Sequence, residues 1–217
     1  KMTQLEIDQQ RVLGALKGVK DPELQKDLVE LNMIRDIKVC GETADLTVYL
    51  TTPACPLKDQ IKKEVETALK TGMPELTKIT IKMGSDVKST LKVSNVDLLK
   101  GVKNVVAVAS GKGGVGKSTV ATNLALALHA CGAKVGLLDA DIYGPNIPKM
   151  LGKEGHKPEW RDEKIEPAES FGIKFFSMAF LVPPDQAVIW RGPMLHSAIQ
   201  QFLRDIRWGD LDYLIID

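Results

Sequence analysis

The amino-acid sequence predicts an α/β protein of two successive units: a small α+β domain, then part of a doubly wound parallel sheet. Three observations carry this. Residues 1–84 run helix, strand, strand, helix, strand, the order of a module with its helices on one sheet face. From residue 104 onward, strand and helix patterns alternate, which reads as a parallel sheet wound on both faces. Between the first strand and first helix of that second unit stands "GKGGVGKST", Gly111 to Thr119, a glycine-rich turn of the kind that joins strand to helix around a phosphate.

In "DQQRVLGALKGV", Val12, Leu13, Leu16 and Val19 recur at helical spacing, and Asp21-Pro22 is expected to end that helix. "MIRDIKVCGETADLTVYLT" alternates apolar and polar residues on both sides of Cys40-Gly41-Glu42, which predicts a hairpin. After the loop "TTPACPL", the stretch Lys58 to Lys70 sets Ile61, Val65, Ala68 and Leu69 on one helix face, and "LTKITIKM" alternates again as a strand. Residues 85–103 are polar and dotted with lysine, and are read as a linker. "NVVAVAS" then opens the second unit as a continuous apolar run suited to a strand buried on both faces. A helix from Gly116 to about Ala130, a strand "KVGLLDA", a loop, a strand "IKFFSM", a helix within Pro193 to Arg207 and a strand "DYLIID" complete residues 104–217.

Composition narrows the function classes. The chain has 217 residues, 44% of them hydrophobic, with 29 Lys+Arg against 28 Asp+Glu. Residues 1–100 hold 16 basic and 15 acidic side chains and the remainder 13 of each, so no basic pole supports nucleic-acid binding. The longest apolar run, Val105 to Ala109, is too short to cross a bilayer, and nothing at the start reads as a signal peptide. Three cysteines without short spacings fit neither a disulfide framework nor a closed metal site. A reducing compartment, cytoplasm or organelle interior, is expected, with no membrane partner.

Gly111, Gly116, Lys117 and Ser118 fit the phosphate-loop template. Glycines let the backbone curl so that N–H groups point inward at the β-phosphate, and the next helix presents its positive end there. Lys117 is expected to reach the β- and γ-phosphates of ATP, and the Ser118 hydroxyl to ligate Mg2+. A dinucleotide fingerprint would leave those two residues unexplained. Asp217, closing "DYLIID", stands where a second magnesium-binding carboxylate belongs. "LLDADIYGPNIP" puts Asp139 and Asp141 at another strand end, which in a parallel sheet faces the ligand crevice. Carboxylates there hold the metal's water or orient the attacking one; Asp139 equally suits turn formation.

The lysine just after the first glycine, Lys112, is extra to that template, and "GKGGVGKST" resembles the deviant phosphate loop of the MinD/ParA and nitrogenase iron protein group. Together with "DADIYGPNIP", "WRGPMLHSAIQQFL" and "WGDLDYLIID" it looks like the Mrp/ApbC family of iron–sulfur cluster carrier ATPases. The segment with "DPEL" and "TTPACPLKDQI" resembles the small cluster-assembly domain often fused ahead of that ATPase. The resemblance implies an ATP-dependent carrier that accepts an iron–sulfur cluster and passes it to an apoprotein, working as a homodimer with assembly factors. It implies that the loop from Gly111 through Lys112, Gly113, Gly114, Val115, Gly116, Lys117 and Ser118 to Thr119 binds nucleotide. It also implies that Lys112 reaches the partner subunit's nucleotide, a cationic finger of the kind worth about three to five decades in rate elsewhere. Asp141 becomes the water-orienting residue, and Ser118, Asp139 and Asp217 the magnesium set.

Family members continue past "LIID" with a switch loop and a Cys-x-x-Cys pair, so a fragment is expected, with weak or no hydrolysis by itself. Cys55, between Pro53 and Pro56 and ahead of a helix whose positive end favours a thiolate, reads either as a transient iron–sulfur ligand or as a structural thiol. Cys40 and Cys131 are expected to be small buried hydrophobes. Asp21 and Glu23 read as part of the same N-terminal site, though helix capping explains Asp21 equally well. The histidines show no ligand spacing, the tryptophans are read as core or interface aromatics, and Arg191 in "WRGPM" has no assigned mechanism. Two other readings stay open: a positioning ATPase that acts on a membrane or macromolecular cargo, and a nucleotide-binding scaffold without turnover.

Overall fold

A computed structural model describes residues 4–89, 99–141, 144–181 and 192–217, with the side chains of 4–7 and 192–196 left undescribed. The chain divides into two compact units, Lys1–Val87 and Lys88–Asp217.

In the first unit, helix α1 (Gln4–Leu16) is followed by strands β1 (Ile34–Cys40) and β2 (Thr43–Leu50), helix α2 (Lys58–Gly72) and strand β3 (Lys78–Ser85). The strands lie in the order β1-β2-β3, with β1–β2 antiparallel and β2–β3 parallel. Both helices cover the same sheet face, because Val12 and Leu16 of α1 and Ile61, Val65 and Leu69 of α2 join Ala44, Leu46, Val48 and Leu50 in one core. The helices approach closely: a Cβ added at Gly72 would lie 2.6 Å from that of Ala15. Helix α1 ends before the expected Asp21-Pro22 stop. Gly18, at φ +94, breaks the helix, and its N–H is taken by the Asp27 carboxylate at 2.6 Å. A bulge between Arg35 and Lys38, with Asp36 at φ +56, puts both Ile34 and Ile37 inward, which strict alternation does not allow.

The second unit contains β4 (Val102–Ala107), α3 (Lys117–Ala130), β5 (Val135–Asp139), α4 (Ile147–Met150), β6 (Trp160–Arg161), β7 (Lys164–Ile165), β8 (Ala168–Ser170) and β9 (Ile173–Ser177). A 3-10 turn (Met178–Phe180), α5 (Gly192–Asp205) and β10 (Leu211–Ile216) follow. Its main sheet has the order β4-β10-β5-β9-β8, parallel except for the β8–β9 pair. Adjacent residues divide between its two faces. Leu137, Ile215 and Phe175 pack with Ala121 and Ala125 of α3, while Leu138, Leu214 and Phe176 pack with Phe202 and Ile206 from and just after α5. The sheet is therefore doubly wound.

Three expectations are corrected. Strand β4 is half-buried rather than buried on both faces, because it has a neighbour on one side only among the described strands. That strand also starts at Val102, inside the stretch assigned to the linker, since Val102 pairs with Leu211. The loop expected before "IKFFSM" contains the β6–β7 hairpin and the strand β8, which makes a second hairpin with "IKFFSM" as β9; Asp162-Glu163 and Phe171-Gly172 turn the two, all four at positive φ. Residues 182–191, Trp190 and Arg191 among them, and residues 90–98 of the linker lie outside the described part. Among the described residues, no helix is long and apolar enough to cross a membrane.

Candidate functional site

The site forms where three parallel strands finish side by side. Ala107 of β4 pairs with Ile216 of β10, and Ile216 with Leu138 of β5. Backbone bonds carry the alignment past the strand ends: Val108 N–H to Ile216 O at 2.8 Å, Asp217 N–H to Leu138 O at 2.9 Å, and Ala140 N–H to Asp217 O at 3.1 Å. The glycine loop after β4 and the carboxylates of Asp139 and Asp217 thus come to the same sheet end.

Gly114 at φ +71 and Gly116 at φ +94 turn the loop into α3, which starts at Lys117. A Cβ on Gly111 or Gly113 would meet nothing within 4 Å. The protein's own packing therefore makes no demand for glycine at these two positions. No side chain caps α3 at Gly116, so the first N–H groups of a 14-residue helix are free to receive an anion. Lys117 and Ser118 begin that helix and are half-buried, while Val115 and Thr119 are exposed. Lys112 is exposed, its carbonyl accepts the Ser110 hydroxyl at 2.7 Å, and its ammonium enters no ion pair among the described residues.

Asp139 is fully buried. Its carboxylate accepts the Ser177 hydroxyl at 2.8 Å and the Asp141 N–H at 3.2 Å. Burial pushes Asp139 up to about 6 against the lowering pull of those donors, and the nearby Asp217 charge adds to the rise. Both carboxylate oxygens of Asp217 are buried and accept no hydrogen bond from the described residues. Two carboxylates at one strand end, one of them orphaned, suit a divalent cation. Asp139 shapes the turn to Asp141, as the turn reading expects, and lies within electrostatic reach of Asp217. Asp141 itself accepts the Gly144 N–H at 3.2 Å, which holds its carboxylate at the mouth of the following loop.

Ser177 escaped the sequence reading. Its one signal was a polar residue closing the apolar strand "IKFFSM".

Among the described residues, no three His, Cys, Asp or Glu side chains are placed to hold a metal ion. A magnesium ion at this sheet end would have to draw on Asp139, Asp217 and the Ser118 hydroxyl together with ligands from outside the protein. Cys55 belongs to the first unit, half-buried against its core in the turn before α2. Cys40 and Cys131 are exposed rather than buried, because one ends β1 at the hairpin turn and the other caps the solvent end of α3. Asp21 caps no helix: it accepts the N–H groups of Glu23 and Leu24 at 2.9 and 2.8 Å within a turn between α1 and β1. Trp208 is buried, whereas Trp160 is 61% exposed.

Residues 101–217 match the family described as NUBPL iron-transfer P-loop NTPase, and residues 9–83 match a family of iron-sulfur cluster assembly proteins. An iron-sulfur cluster carrier protein of Synechocystis sp. is 52% identical over 210 residues, 95% of this chain and 59% of that protein. Proteins of the same description from Deinococcus radiodurans and Escherichia coli are 52% and 39% identical, each over 207 residues and 95% of this chain. The chain spans 58% and 56% of their lengths. Phosphate loop, doubly wound sheet and these matches agree: the chain belongs to the NUBPL iron-transfer P-loop NTPase family.

Proposed function

We propose that this chain is the nucleotide-binding and cluster-assembly portion of an ATP-hydrolysing carrier that receives an iron–sulfur cluster and passes it to apoproteins. The observation that carries the nucleotide half is the orphaned Asp217 carboxylate, buried beside Asp139 at the sheet end that also bears the glycine loop. An ionised carboxylate left in that state costs several kcal/mol, roughly, unless a cation or water satisfies it. The loop N–H groups and the head of α3 bind the phosphates, and Lys117 neutralises the β- and γ-oxygens. Ser118, Asp139 and Asp217 hold Mg2+, which supplies charge neutralisation across the transferring phosphoryl group. Asp141 accepts a hydrogen bond from the attacking water and aligns it with the γ-phosphate. Lys112, exposed and without an ion pair among the described residues, reaches the nucleotide of the partner in a homodimer. The iron–sulfur half rests on the assembly-family match of residues 9–83 and on the names of the relatives, with cytoplasm or an organelle interior as the setting.

The test uses the full-length protein, reconstituted anaerobically with iron and sulfide and mixed with an apoprotein. A visible-region cluster absorbance that moves to the recipient, together with phosphate release from ATP, is the expected outcome. A protein that binds no cluster overturns the carrier reading, and one that binds nucleotide without releasing phosphate reduces it to a scaffold.

A further inference from the structure

Asp139 is held by a hydroxyl from another strand. Ser177 closes β9, pairs with Asp139 across the sheet and is fully buried. A serine hydroxyl has one proton and two acceptor lone pairs. Here the oxygen accepts the Ala179 N–H at 3.2 Å, at the start of the 3-10 turn, which fixes the rotor and commits the proton to Asp139 Oδ2 at 2.8 Å. The Asp141 N–H takes Oδ1 at 3.2 Å. Both carboxylate oxygens are thus held by protein donors, and the Ile147 N–H adds a further hydrogen bond to the group, so the carboxylate is fixed in orientation.

We infer that Ser177 is a positioning residue for the cation site: through its hydrogen bond it holds the Asp139 carboxylate in one orientation, so that magnesium binding, not nucleotide binding alone, is what its loss weakens. This rests on the magnesium–nucleotide reading above. Groups that orient metal ligands from the next shell typically carry about 10- to 100-fold in metal affinity.

The experiment measures binding of a fluorescent ADP analogue to the full-length protein, in EDTA and across a Mg2+ titration. Wild type, Ser177→Ala, Ser177→Thr and Ser177→Cys are compared. In Ser177→Ala the Mg2+ concentration for half-maximal enhancement of binding is expected to rise about 10- to 100-fold, while affinity in EDTA stays unchanged. Ser177→Thr, which keeps the hydroxyl, restores the wild-type midpoint. Ser177→Cys, similar in size but a far weaker donor, shifts as Ala does and serves as the probe if the Ala variant fails to fold. An unchanged midpoint in the Ala or Cys variant overturns the inference, and so does a parallel loss of EDTA affinity, which marks a structural role. A wild-type protein whose nucleotide affinity ignores Mg2+ overturns the magnesium reading itself and this inference with it.

Discussion

Two lysines five residues apart test how far a loop can divide its labour. Lys117 sits half-buried at the head of α3, where its charge adds to that of the helix end, so replacement by Ala removes a charge-assisted contact to the protein's own nucleotide. Such contacts are worth about 1.5–3 kcal/mol, and Lys117→Ala is expected to weaken ATP binding by roughly 10- to 100-fold in a filter or fluorescence assay. Lys112 is exposed and enters no ion pair among the described residues. Lys112→Ala is expected to keep most of that affinity while losing about three decades or more of the turnover that depends on protein concentration. Equal loss of binding in both variants would show one shared role. The loop was legible because its chemistry is contiguous: glycines, lysine and serine fall within nine residues of chain. Ser177 was not, since it meets Asp139 across a sequence separation of 38, through the β5–β9 pairing that only the folded sheet supplies.

Elements are tied together at the opposite end of the same sheet by one carboxylate. Asp212, near the start of β10, accepts the Lys134 N–H ahead of β5 at 2.9 Å and the Lys103 ammonium of β4 at 2.9 Å. Burial alone would raise Asp212, but the Lys134 N–H and then Lys103 outweigh it and hold the carboxyl below its ordinary 3.8. The Lys103 side chain is 43% exposed, so solvent screening leaves that ion pair the smaller share. Asp212→Ala is expected to cost about 1–3 kcal/mol in urea unfolding near neutral pH. Because the folded group binds its proton less readily than the unfolded one, this contribution is complete above the ordinary value and disappears as pH falls through the lower folded one. The gap between wild type and variant should therefore close in acid; a gap that widens there would assign the loss to packing. Helices and central strands were legible from their periods. The β6–β7 and β8–β9 hairpins were not, because Asp162-Glu163 and Phe171-Gly172 lack the Asn-Gly or Asp-Gly signature of such turns. The bulge at Asp36 likewise broke the alternation that predicts β1.

At the scale of the molecule, the apolar patterns of the sequence sort into separate cores. Every member of the first core lies within Val12–Met83, and every member of the other two lies within Leu99–Ile216. The glycine loop, Asp139 and Asp217 all belong to the second unit. A ligand that binds only a folded site stabilises the unit that carries it, by about 2.7 kcal/mol when present at one hundred times its Kd. For a unit of that size this raises Tm by on the order of 10 °C. Scanning calorimetry is therefore expected to resolve two transitions, of which Mg2+–ADP moves one upward while the other keeps its temperature. Lys117→Ala, at the same ligand concentration, should cut the shift to roughly half or less without displacing the transition that ignores nucleotide. If nucleotide instead moves the whole heat-absorption profile as a single peak, the two units unfold as one cooperative body, and occupation of the phosphate loop is communicated to the cluster-assembly unit through stability itself.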